Sequence, residues 1–259
     1  MALKNYIPNA LTCGNLLCGC LALIKVFEGD LVLSACFVGI ALVLDFFDGF
    51  MARLLKVSSP IGKDLDSLAD MVTFGVVPAM VMFKLIIIAI MQHVYDLAPA
   101  TKGWTIYPPL TPDSANSYLP YVALIIAIFS CIRLAKFNND TRQSDSFIGV
   151  PTPANAMVIC SLPLITAFQP GFQAIISLLN NPWLLCILSV LMSVLLVSEI
   201  PLFALKFKNF GWADNKIRFI FLALAVILFA SLKFVGIPVV ILLYILLSIV
   251  NNIFLKKEV

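Results

Sequence analysis

Charge is what this 259-residue chain lacks. Asp, Glu, Lys and Arg make up 12% of it, about half of the roughly 25% usual in a soluble domain. The net charge of +3 is too small for the basic footprint of a nucleic-acid-binding protein. No solenoid period, low-complexity tract or domain linker is present, which excludes repeat, collagen-like and disordered architectures. The seven cysteines lie in or near apolar runs, not in the loop-rich framework of a secreted disulfide scaffold. Cys18-Gly19-Cys20 is spaced too tightly for a zinc pair, and no Cys/His partners follow it. The lone histidine, His93, reads as a solvated loop residue. What fills the chain instead is 61% apolar residues and a mean hydropathy of +1.03, so most of it belongs in lipid.

A run of about 20 apolar residues spans a bilayer as a helix. Eight such runs can be marked, roughly 10–27, 31–55, 62–92, 118–138, 153–169, 183–205, 216–235 and 237–255. The two-residue alternation of a β-barrel is absent, which leaves helices as the spanning structure. The expected fold is therefore all-α, a polytopic integral membrane protein of about eight transmembrane helices. Met1-Ala2-Leu3-Lys4 offers no small-residue cleavage site, so the first run reads as a retained span. With the N-terminus cytoplasmic, the inner segments hold 13 of the 17 positive charges: Lys4; Arg53, Lys56, Lys63; Arg133, Lys136, Arg142; Lys206, Lys208, Lys216, Arg218; Lys256, Lys257. Lys25, Lys84, Lys102 and Lys233 make up the other 4. This asymmetry predicts both termini in the cytoplasm and a multi-pass protein of the inner (cytoplasmic) cell membrane. The longest outer loop, about 93–117, reads as a short extracytoplasmic cap.

Ionised groups inside a span cost roughly 2.5–3.5 kcal/mol each, yet five of the 14 acids fall within the 26 positions from Asp45 to Asp70. Asp45 and Asp48 are three apart, and Asp66 and Asp70 four apart, so each pair shares a helix face. Ser58-Ser59-Pro60 turns the chain between them at the cytoplasmic side, where the pairs can converge. Convergent carboxylates need a compensating cation. A hard oxygen set suits Mg²⁺ or Mn²⁺ rather than zinc, and two such ions would clamp a phosphoryl group. The competing reading is a salt-bridge network with Arg53, Lys56 and Lys63. Asp64 points off the shared face and reads as solvated. Gly49 and Ala52 leave a dent beside the acids that either admits a flat ring or diphosphate or serves close helix packing.

Asp45-x-x-Asp48-Gly49-x-x-Ala52-Arg53, then Gly62-x-x-x-Asp66-x-x-x-Asp70, resembles the CDP-alcohol phosphatidyltransferase motif at every fixed position. The resemblance implies a helical membrane enzyme, usually a homodimer, that moves a phosphatidyl group from a CDP-linked lipid to an alcohol and releases CMP. It implies that Asp45, Asp48, Asp66 and Asp70 hold two divalent ions. Asp70 would also be the base for the acceptor hydroxyl. Asp48, Gly49, Ala52, Arg53 and Gly62 would receive the CDP-lipid.

Three further segments look like the phosphatidylserine synthase branch of that family: Ile7 to Gly19, Arg133-Leu134-Ala135-Lys136-Phe137-Asn138, and Phe147 to Ala156. The branch implies CDP-diacylglycerol and L-serine as substrates. It also implies a six-helix core, 1–205, extended by two C-terminal helices, 206–259. Serine is a small zwitterion, so Arg133 can fork onto its carboxylate, with Lys136 and Asn138 beside it. Lys136 stands where the branch usually carries Arg, which keeps the charge but not the planar fork. Arg133 and Lys136 equally fit positive-inside anchoring. Asn9, Thr12 and Asn15, at offsets of three on the first helix, can partner the donor's phosphates or serve capping and interhelical hydrogen bonds. Glycerol phosphate, inositol phosphate or choline is the rival acceptor; a phosphorylated one needs more cations than Arg133, Lys136 and Arg142. An ion-coupled transporter is the rival class, though no inverted repeat or paired broken helices point to it.

Overall fold

The structure is a computed structural model that describes residues 6–57, 59–95, 115–139, 146–203 and 212–254. Lys4, Ser58, Lys102, Arg142, Lys206, Lys208, Lys256, Lys257, the His93 side chain and most of the expected outer cap lie outside the described residues.

Helix α1 (Tyr6–Glu28) and helix α2 (Leu31–Leu55) form an antiparallel hairpin. Gly29 (φ 82°) makes the reversal, and Asp30 caps α2 by accepting from the Leu33 amide at 2.9 Å. Small buried residues, Ala22 on α1 with Ala35 and Ala41 on α2, line the seam and let the backbones approach. Lys56 closes α2 in the left-handed region (φ 52°), and Ser59 caps α3 (Pro60–Asp70), its hydroxyl accepting from the Gly62 amide at 3.0 Å. Pro60 at the first helical position suits such a start.

From Pro60 the chain runs without a break through α3, a π-helical turn (Met71–Val76) and α4 (Val77–Tyr95). Two glycines decide how the π-helical turn is held. A Cβ on Gly19 of α1 would overlap the Thr73 side chain, and one on Gly75 would lie 3.1 Å from Ser130 Cβ. A 3₁₀ segment (Ala115–Leu124) leads into α5 (Ile125–Asn139), and α6 (Thr152–Phe168), α7 (Gln173–Leu179) and α8 (Pro182–Val197) complete the bundle. Phe74, Met82, Ile86, Ile126 and Ile159 fill the core. Leu54, Ile61, Leu68 and Phe46, by contrast, face outward. That outward apolar surface suits lipid as solvent.

The span expected at 183–205 stops at Val197. Pro201 cannot donate to a continuing helix, and β2 (Pro201–Phe203) instead pairs antiparallel with β1 (Ser146–Ile148). Gly149 (φ 74°) turns that ribbon into α6; a Cβ there would run into the Leu196 and Ser198 carbonyls. Past it, α9 (Trp212–Leu232) and α10 (Gly236–Phe254) fold back on each other. The rings of Phe221 and Tyr244 lie 5.4 Å apart, where an unbroken helix would separate them by roughly 35 Å. Tyr244 donates to the Phe203 carbonyl at 2.7 Å and ties this hairpin to the ribbon.

Among the described residues, five helical stretches are long and apolar enough to cross a membrane, and the bent pair α7–α8, with 84° between its arms, makes up to six. α6 is apolar but shorter, at 17 residues. The chain is an all-α polytopic integral membrane protein.

Candidate active site

The turn between α2 and α3 brings their acids together. One carboxylate oxygen from each of Asp45, Asp48 and Asp66 lies within 4.8 Å of the others. Asp70, one helical turn past Asp66, lies in electrostatic reach of Asp45 and Asp66. Carboxylates gathered in this way cannot all stay ionised without a compensating cation. The set is all oxygen, hard and anionic, which fits a Mg²⁺-type ion. Among the described residues no salt bridge joins Lys63 to the acids; its ammonium donates to the Asn138 carbonyl at 2.8 Å. Arg53 and Lys56 are exposed, with Arg53 in electrostatic reach of Asp48. Asp64 is exposed, off the cluster.

Helix α1 supplies the scaffold of this cluster. The Thr12 hydroxyl donates to Asp48 Oδ2 at 2.7 Å, and Asn15 Nδ2 donates to Asp70 Oδ1 at 3.2 Å. Thr73 in turn donates to the Asn15 carbonyl at 3.3 Å. Of the two readings open for Thr12 and Asn15, these contacts are the interhelical one: both orient carboxylates.

Beside the acids opens a cleft of about 270 Å³, lined by Asn9, Thr12, Asp48, Gly49, Ala52 and Gly62, with Pro8, Val57, Ser59, Lys63 and Asp66. The glycines shape it. A Cβ on Gly62 would meet Asn9 Oδ1 at 3.1 Å and Ser59 Oγ at 3.0 Å, whereas one on Gly49 would meet only the Arg53 guanidinium, at 3.5 Å. Arg53 therefore folds back over the glycine. Six of the eight residues expected to receive the CDP-lipid line this cleft; Arg53 stands at its edge and Asn15 behind the acids.

The other expected group divides. Arg133 is buried (6% exposed), in electrostatic reach of Asp70 and stacked over the Phe137 ring at 5.0 Å. Lys136 is exposed. Asn138 is committed elsewhere, its amide donating to Ser67 Oγ at 2.7 Å, so it staples α5 to α3. Sequence reasoning took Ser59 only as part of a turn and Lys63 only as a salt-bridge candidate, and passed over Ser67 and Thr73. The Ser59-Pro60 pair carried a readable cap signal; the other three act across helices and carried none.

Comparison with known proteins agrees with this geometry. Over 210 residues the chain is 32% identical to the CDP-diacylglycerol–serine O-phosphatidyltransferase of Bacillus subtilis, covering 80% of this chain and 92% of the relative. A protein of the same name from Helicobacter pylori is 28% identical over 258 residues, 97% of this chain and 93% of that one. The family model described as CDP-alcohol phosphatidyltransferase matches residues 5–197, which takes in the cluster, the cleft and Arg133. The match sets the transporter reading aside: this membrane-embedded chain, with its convergent aspartates at the α2–α3 turn, is a transferase and belongs to the CDP-alcohol phosphatidyltransferase family.

Proposed function

We propose that the protein transfers the phosphatidyl group of CDP-diacylglycerol to the hydroxyl of L-serine, giving phosphatidylserine and CMP. The observation that carries this is the Asp45–Asp48–Asp66 cluster, with Asp70 in electrostatic reach, opening on a glycine-shaped cleft. The names of the relatives support the two substrates.

Asp45, Asp48, Asp66 and Asp70 would hold two Mg²⁺ or Mn²⁺ ions, which would supply positive charge to the diphosphate as it reacts. Gly49, Ala52 and Gly62 let the cytidine approach the backbone; Asn9 and Arg53 border it. Asp70, held in line by Asn15, accepts the serine proton as the serine oxygen bonds to the phosphorus that carries diacylglycerol. The bond from that phosphorus to the bridging oxygen breaks, and CMP departs with that oxygen. Arg133 supplies the fixed cation for the serine carboxylate. Lys136 lies further out as a second cation, and Asn138 acts indirectly by fixing the end of α5.

The protein works as a homodimer in the cell membrane, with eight crossings, both termini and the cleft facing the cytoplasm, and residues 206–259 as an addition to a 1–205 core. A nucleotide is soluble and a diacyl tail is not, so the chemistry belongs at that boundary.

The test is CMP release by purified protein in detergent with CDP-diacylglycerol and Mg²⁺ or Mn²⁺. Serine, glycerol phosphate, inositol, inositol phosphate and choline are offered separately. Release with serine alone is the expected result; release with another alcohol keeps the family and overturns the acceptor.

A further inference from the structure

We propose that Thr152 and Asn155, on the first turn of α6, bind the zwitterionic head of the acceptor amino acid. This deepens, and rests on, the serine reading above. Asn155 is wholly buried, and neither its Nδ2 nor its Oδ1 has a partner among the described residues. Thr152, also wholly buried, has an unpartnered Oγ1. The two are three apart and share a helix face. An unmet buried polar group costs about 1–3 kcal/mol. Three such atoms on one helical turn form a deficit that a ligand can repay.

The surrounding backbone points the same way. α6 opens on Pro151, which is extended and offers no side-chain cap; Pro153 has no N–H and the Asn155 amide bonds the Pro151 carbonyl, so only the Thr152 and Ala154 amides, with the positive end of the helix dipole, face the start of the helix. The helix packs against α2, which carries Asp45 and Asp48, against the π-helical turn that follows Asp70, and against α5, which carries Arg133. On α5, Ser130 adds another buried, unpartnered hydroxyl one turn before Arg133. Neither Thr152 nor Asn155 lines the cleft beside Gly49 and Gly62.

The chemistry selects the ligand. A side-chain amide donates and accepts at once, as a carboxylate and an ammonium on one small molecule require. A phosphorylated alcohol needs cations, and residues 146–156 contain neither Lys nor Arg.

The experiment compares wild-type protein with Asn155→Ala and Thr152→Val in detergent. It reads CMP release against serine and against CDP-diacylglycerol, and thermal unfolding with and without serine. Both variants are expected to raise the KM for serine by about tenfold or more while leaving the KM for CDP-diacylglycerol within about twofold. Removing an unpartnered amide leaves the ligand-free Tm of Asn155→Ala unchanged or higher, and the rise in Tm that serine gives the wild type is lost. An unchanged KM for serine overturns the inference. So does a fall in ligand-free Tm or a failure to fold, since either means that the amide has a structural partner. Wild-type protein that is inactive with serine overturns the serine reading itself, and this inference with it.

Discussion

Asp70 and Asp48 depend on neighbours from α1, and the two dependences separate in experiment. Asp70→Asn keeps the volume and the contact to Asn15 but removes the base. CMP release is expected to fall by about 10²–10⁴-fold while the protein still binds CDP-diacylglycerol. A variant with near-wild-type turnover would remove Asp70 from the proton transfer. Thr12→Val deletes the 2.7 Å donor to Asp48, together with the hydroxyl's 3.1 Å contact to the Pro8 carbonyl of its own helix. A hydrogen bond to a charged group is worth about 1.5–3 kcal/mol, so the half-saturating Mg²⁺ concentration should rise about tenfold with little change at saturating ion. A metal titration of the rate reads this directly, and a lower plateau with an unmoved midpoint contradicts it.

At the scale of the element, the glycines of α1 and α2 have opposite meanings. Gly19 sits where any Cβ would strike Thr73, and Gly39 has nothing within 4 Å. Gly19→Ala should therefore destabilise by about 1–3 kcal/mol, as overpacking does, and should slow CMP release, because the displaced π-helical turn follows directly on Asp70. Gly39→Ala should be neutral or stabilising by about 0.5–1 kcal/mol, since alanine costs less backbone entropy in a helix. Thermal unfolding of the two variants side by side decides the matter; equal shifts would mean that α1 does not press on the turn. The sequence marked Gly19 as the middle of Cys18-Gly19-Cys20 and as the end of the Ile7 to Gly19 segment, with no hint of the neighbour it meets. Helix periodicity gives a residue's face, not the depth of the neighbour it meets.

For the whole molecule, the acids link stability to the bound ion. EDTA is expected to abolish CMP release and lower Tm, and Mg²⁺ or Mn²⁺ to restore both, because an ion that binds only the folded cluster stabilises it by mass action. Full activity in EDTA would remove the ions from the reaction. Membrane orientation is tested apart from chemistry. A reporter that is active only outside the cytoplasm should stay silent when fused after the last residue, as the excess of Lys and Arg on the inner segments requires.

Composition sets the class of the molecule, since so little charge and so much apolar surface have nowhere to go but lipid. Residue order sets the local faces, because helical spacing alone sets Asp45 beside Asp48 and Asp66 beside Asp70, and the Ser59-Pro60 cap turns the two pairs toward each other. Tertiary structure decided which helix meets which. Thr12 and Asp48 are 36 residues apart, Asn15 and Asp70 are 55 apart, and Asn138 and Ser67 are 71 apart. Tertiary structure also ended the span at 183–205 early, by pairing Pro201–Phe203 with Ser146–Ile148. Periodicity is a property of a single helix. The contacts that orient the carboxylates depend on how closely two helices approach, and that distance is set by glycines and alanines whose partners appear only when the helices pack.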